Sequence, residues 1–302
     1  MRYRPFGASG KAVSAVSLLL RDAPNMSSPS AWRALVFAAM ENGVNCFEVT
    51  SGSDVLALGV GEALSAVERR LIFLGWRLRG AATGSITARD IADNIRNALQ
   101  KTRARYLDLL MVDETALGGL TPDAVKYLSD LRASGACLQI GIAGDGPEVE
   151  RCIGGGTFDV LATSFNLLSD WQSRRRIRDA SAADMALVCC NPIPSGLHPK
   201  PVVRSDGERP MRRGLLGLRR TDPLSSSVGS YAFLQDTPGW TQEELCLAYT
   251  LTEPSFATVQ LEARRASSIE RIAAVTDRDL PTGVAAQIEM ARFGQIAAER
   301  HA

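Results

Sequence analysis

Tyr106-Leu107-Asp108-Leu109-Leu110-Met111-Val112-Asp113 is the stretch that decides the fold of this 302-residue chain. From Leu107 to Val112 every residue but Asp108 is apolar. That pattern suits a parallel strand covered on both faces, because a strand with one face in water would alternate. Similar short runs lie before it at 14–20, 44–49 and 71–76, and after it at 138–143, 158–163, 186–191 and 257–261.

Longer segments with helical spacing separate these runs. Residues 30–42 follow Pro29, a favoured first-turn residue, and stop at Gly43. Residues 87–103 open on the capping pair Thr87 and Asp90 and put Ile91, Ile95, Ala98 and Leu99 on one face. Residues 121–133 open on Thr-Pro-Asp and close at Gly135, and 241–252 and 282–298 follow the same grammar. Eight strand–helix units predict a single α/β domain over 1–302, a closed (β/α)8 barrel of the TIM type rather than an open sheet. The glycine fingerprint of an open dinucleotide-binding sheet is missing, and Gly154-Gly155-Gly156 lies between a helix and a strand, where it reads as a tight turn.

Composition narrows the function classes. Hydrophobic residues make up 45% and charged residues 22%, with a formal net charge of +1. A near-neutral chain has no global field for nucleic acid or an anionic membrane. The runs are too short to span a bilayer and the first residues lack a secretory signal, so the expected compartment is the cytoplasm. Six scattered cysteines, Cys46, Cys137, Cys152, Cys189, Cys190 and Cys246, form no CxxC pair and read as reduced, packed thiols rather than metal ligands.

Residues 192–240 break the rhythm after the seventh run. They are rich in Pro, Gly, Ser and Arg and carry Lys200, Arg204, Arg209, Arg212, Arg213, Arg219 and Arg220. The plain reading is a solvated, mobile insertion. The functional one is a lid, or an arm for an anion or a partner, since this is the face on which barrel enzymes build their sites.

Several stretches in order resemble the aldo-keto reductases. Tyr3-Arg4-Pro5-Phe6-Gly7 through Ser14 looks like the N-terminal hairpin that closes the barrel floor in that family. Ala38 to Phe47, Leu58-Gly59-Val60-Gly61-Glu62-Ala63-Leu64, Tyr106 to Leu110, Gly135 to Gly141 and Phe165-Asn166-Leu167-Leu168 are similar to its successive elements. The resemblance implies hydride transfer from NADPH to a carbonyl, with a tyrosine giving the proton and aspartate, lysine and histidine supporting it.

At those four positions this chain carries Glu48, Ser53, Arg77 and Asp113. The only histidines are His198 and His301, and of the five tyrosines only Tyr231 is expected within reach. The implied cofactor positions differ as well. Ala143-Gly144 stands for a Ser-Asn, Ala162 for a glutamine, and Glu262-Ala263-Arg264-Arg265 for a glycine-rich phosphate turn. Ser268 and Ile272 stand for a Gln and an Asn, and Leu20-Arg21-Asp22 for a glycine-containing turn. Asn166, Arg264 and Arg265 are left as cofactor-binding candidates, the two arginines as holders of a 2′-phosphate.

Glu48, Arg77 and Asp113 are expected together at the barrel mouth, with Asp145, Asn166, Cys190 and Asn191 on the same face. Two carboxylates around a guanidinium make either a space-filling ionic cluster or a new acid/base site in which Arg77 orients an anion. Three readings follow. The first is a non-catalytic barrel that takes a small-molecule ligand at its mouth or a protein partner, with no cofactor. The second is a repurposed enzyme without hydride chemistry. The third is an NADP(H)-dependent reductase of a small carbonyl or sugar with an unusual tetrad.

Overall fold

The computed structural model describes residues 1–80, 84–194 and 231–299. Most of the long insertion, with its seven basic residues and His198, lies outside the described residues, as does His301.

A short antiparallel hairpin, β1 (Tyr3–Pro5) and β2 (Ala12–Ser14), precedes eight parallel strands. These are β3 (Val16–Leu20), β4 (Cys46–Thr50), β5 (Phe73–Leu78), β6 (Leu107–Asp113), β7 (Cys137–Ala143), β8 (Val160–Ser164), β9 (Ala186–Cys190) and β10 (Phe256–Leu261). They pair in sequence order and close by β10 against β3. The expected run 14–20 divides at Ala15. Its N–H bonds the Arg2 carbonyl of the hairpin at 2.8 Å, while its own carbonyl accepts from Val259 of the barrel at 2.8 Å.

The helices are α1 (Pro29–Glu41), α2 (Asp54–Leu64), α3 (Ala88–Thr102), α4 (Glu114–Leu117), α5 (Pro122–Ala133), α6 (Pro147–Cys152), α7 (Trp171–Ala182), α8 (Gln242–Leu251), α9 (Ala266–Val275) and α10 (Val284–Glu299). Thr87 and Asp90 form the expected capping box of α3, and Thr241 with Glu244 forms another on α8. No described helix is long and apolar enough to cross a membrane.

Two apolar layers result. The outer one packs the strands against the helices and includes Phe47, Leu74, Leu110 and Trp32. The inner one fills the barrel with Phe6, Val13, Cys46, Phe73, Leu109, Met111, Val160 and Val188. Phe6 plugs the floor, its ring centroid 4.3 Å from that of Phe73. Asp108, the polar residue in the deciding strand, accepts from Lys11 Nζ at 2.8 Å, Arg69 Nη2 at 2.7 Å and the Leu74 amide at 2.8 Å. It is only 2% exposed, a buried charge matched by two cations.

Candidate functional site at the barrel mouth

Side chains two apart on a strand share a face, so the inward Cys46 sets Glu48 and Thr50 inward, and Phe73 sets Gly75 and Arg77 inward. Gly75 pairs with Glu48, and a Cβ there would stand 3.1 Å from Glu48 Cγ. The glycine gives the glutamate room to cross toward the next strand.

There it meets a closed ring. Arg77 Nε donates to Glu48 Oε1, Arg77 Nη2 donates to Gln260 Oε1 at 3.1 Å, and Gln260 Nε2 donates to Glu48 Oε2 at 2.8 Å. Glu48, Arg77 and Gln260 are all buried. Burial works against the Arg77 charge, but the Glu48 carboxylate, with Asp113 adding to it, prevails and holds the guanidinium more firmly protonated than usual.

Cys190 Sγ lies 3.7 Å from Gln260 Oε1. Burial outweighs the nearby Arg77 charge and pushes the thiol up to about 11. Such a thiol is neutral at pH 7 and a poor nucleophile. All six cysteines are unpaired. Among the described residues no His, Cys, Asp and Glu side chains gather as a metal centre requires.

The structure pairs Glu48 with Arg77 and leaves Asp113 near the guanidinium but outside the ring. Asp113 ends β6 immediately before α4, where its side chain accepts from the Glu114 amide at 3.2 Å, and among the described residues it makes no ion pair with Arg77. Its place in the ring is taken by Gln260, which sequence reasoning missed. The available signal was a single amide in the apolar run 257–261. Ser53 also stands apart. It caps α2, accepting from the Leu56 amide at 3.4 Å, and donates to Asp22 Oδ1 at 3.1 Å. Only Ser51, Gly52 and Ser53 join β4 to α2, and none of them carries a phenol.

Tyr231 does not reach the site either. It is 1% exposed, packs beside Phe233 with ring centroids 6.3 Å apart, and does not line the cavity at the mouth. Burial pushes its phenol up to about 12.

Asn166 is consumed locally, donating to the Asn191 carbonyl at 2.9 Å and accepting from the Leu168 amide at 2.9 Å. Asp145 accepts from Thr163 at 2.6 Å and from Arg176 at 3.0 Å. Burial alone would raise its pKa, but bonds from Ser164 and Thr163 and the Arg176 charge hold it below the usual carboxylate range. Arg264 and Arg265 are exposed. Glu262 stands between Arg21, at 3.4 Å, and Arg264, at 3.9 Å. A further residue that sequence reading missed is Glu114. Its side chain lies on Gly144 and Gly146, leaving no room for a Cβ at either, and accepts from the Asp145 amide at 3.1 Å.

A cavity of about 410 Å³ opens above the ring, walled by Leu19, Arg21, Arg77, Cys190, Asn191, Pro192, Ile193, Gln260, Leu261 and Glu262. A second, of about 230 Å³, shares Ile193, Leu261 and Glu262 and extends between α8 and α9 past Ser268, Arg271 and Ile272.

The sequence model of the Aldo/keto reductase family matches residues 20–292. The chain belongs to that family. No curated protein matches the sequence. Among solved structures, the holo form of aldo-keto reductase AKR11C1 from Bacillus halodurans is similar at TM-score 0.73 and 18% identity, covering 96% of both chains. Its apo form gives 0.71 and 19%, again over 96% of each. An aldo-keto reductase from Klebsiella pneumoniae in complex with NADPH gives 0.67 and 14%, covering 96% of this chain and 95% of that one. At such identities these likenesses establish the fold: the eight-stranded barrel and its N-terminal hairpin are those of the aldo-keto reductases.

Proposed function

We propose that this family member does not reduce carbonyls by the tyrosine-assisted route and serves as a non-catalytic barrel that binds a small molecule at its mouth. The observation that carries this reading is the closed Glu48–Arg77–Gln260 ring. The positions that resemble the family's aspartate and lysine still hold an opposite-charge pair. The positions of its tyrosine and histidine hold Ser53 and Asp113, each engaged at a helix start. Among the described residues no tyrosine lines the mouth cavity.

The residues present do not suit a nicotinamide dinucleotide. Ala143, Gly144 and Ala162 offer no side-chain amide, and the Glu114 carboxylate lies across Gly144. Glu262 stands on the wall shared by the two cavities, where its carboxylate would repel a pyrophosphate. Arg264 and Arg265 favour a phosphate, but Arg264 is paired with that carboxylate at 3.9 Å. An acid/base enzyme is also poorly supported, because both Glu48 oxygens are taken by fixed donors and its head does not wall the cavity.

The test is NADPH oxidation, followed by absorbance, with a panel of aldehydes, ketones and sugars. No rate above the protein-free control is expected. A carbonyl-dependent rate that disappears in a folded Arg77 variant would overturn the proposal.

A further inference from the structure

Helix α7 opens on Trp171, directly after its Asp170 cap, and steps of four residues bring Arg175 and Asp179 into line with the indole. Gln172 and Arg176 form the neighbouring row, which meets Glu150 of α6. Between the two helices lies a cavity of about 370 Å³ walled by these side chains and Ile153. It shares no wall residue with the cavity at the mouth.

The tryptophan stands apart from the other three. Trp32 and Trp76 are buried, and their indole N–H groups donate to the Met26 carbonyl at 3.0 Å and to Asn94 at 2.7 Å. Trp240 carries the Arg278 guanidinium over its ring. Trp171 is 69% exposed and lines a cavity whose other walls are mostly polar. It offers that cavity an apolar plate and one N–H donor.

The polar walls are balanced in charge. Arg176, only 5% exposed, donates to Glu150 Oε1 from Nε at 3.3 Å and from Nη2 at 3.1 Å, and Gln172 Nε2 donates to the same oxygen at 3.2 Å. Arg175 Nε donates to Asp179 Oδ2 at 3.3 Å. One carboxylate matches each guanidinium, so the cavity has no net charge with which to recruit an ion. Each carboxylate takes these bonds on one oxygen and keeps the other as an acceptor, while the Nη groups of Arg175 remain donors. A hydroxyl both donates and accepts, so a ligand with several hydroxyls meets both kinds of partner at once. The indole adds the requirement of a flat apolar face. A sugar ring combines the two, with C–H bonds on its face and hydroxyls around its edge.

We propose that the α6–α7 cavity binds a neutral pyranoside, its ring face on Trp171 and its hydroxyls bonded to Glu150, Arg175 and Asp179. The volume is at the small end of ligand pockets, which span about 300–1,000 Å³, and suits a mono- or disaccharide. The site is independent of whatever the mouth binds.

The experiment titrates the full chain with methyl β-glucoside, methyl β-galactoside and cellobiose, followed by tryptophan emission and by saturation-transfer NMR of the sugar protons. Sorbitol and galactitol carry similar hydroxyls without a ring, and glucosamine and glucuronate add a charge of either sign. At least one glycoside should bind saturably, with saturation strongest at ring C–H protons, and the open-chain polyols should bind at least tenfold more weakly. Trp171 is exposed, so Trp171→Ala should fold, as circular dichroism checks, and should lose at least tenfold in affinity by NMR. Arg175→Ala with Asp179→Ala leaves the plate in place and should weaken binding severalfold. No saturable binding of any glycoside, equal binding of sorbitol, a tenfold preference for either charged sugar, or undiminished binding by folded Trp171→Ala would each overturn the inference.

Discussion

Arg77 and Gln260 hold both Glu48 oxygens, so removing Arg77 leaves the buried Glu48 head without its cationic partner. Arg77→Met should lower unfolding free energy by about 3–5 kcal/mol, read by urea denaturation, and adding Glu48→Gln should recover most of that loss. A double variant no more stable than the single one would contradict the pairing. Cys190 gives a pH test. Its pKa is raised to about 11, so the protonated thiol persists as pH rises until it passes that value. Iodoacetamide should label it far more slowly than a free thiol of pKa about 8.5 from pH 7 to 9. Labelling at pH 7 as fast as free cysteine would refute the assignment. At this scale the sequence was only partly legible. Glu48 and Arg77 could be placed because they match positions of the family resemblance, Glu48 within the run 44–49 and Arg77 directly after 71–76. Asp113 lies near Arg77 as expected, but whether such a residue pairs with the guanidinium or caps the next helix depends on where the chain turns. Gln260 drew no notice because one amide in a buried run has no spacing signature.

Leu58-Gly59-Val60-Gly61 shows what is decided at the level of elements. Helix α2 is buried at Leu56, Ala57, Gly59, Val60, Gly61, Ala63 and Leu64, more than one face. It therefore lacks the amphipathic stripe that made α3 legible, and only the family resemblance located it. Its glycines are where neighbouring helices touch. A Cβ on Gly59 would stand 2.5 Å from Trp32 Cβ of α1, and one on Gly61 would stand 2.9 Å from Thr102 Cα at the end of α3. Gly61→Ala should cost about 1–3 kcal/mol through forced separation of α2 and α3. Gly118→Ala, where nothing lies within 4 Å, is the control that should leave the melting temperature nearly unchanged. Equal melting temperatures for the two variants would remove close helix packing as the reason for Gly61. The eight strands were readable because each is buried on both faces. The break at Ala15 was not, because it comes from backbone bonds shared with distant Arg2 and Val259.

The whole molecule separates into a barrel frame and the mouth that it carries. Lys11, Arg69 and Asp108 tie the hairpin to the barrel at one end, and the Glu48–Arg77–Gln260 ring occupies the other. A barrel of this kind hosts many chemistries, so the fold does not assign an activity, and the argument for function rests on the mouth. The most direct test of that argument is a titration of the purified chain with NADPH, followed by its four tryptophans. The account predicts no saturable change in fluorescence as NADPH rises to about 1 mM, the upper end of ordinary enzyme KM values. Saturation at micromolar NADPH would contradict it.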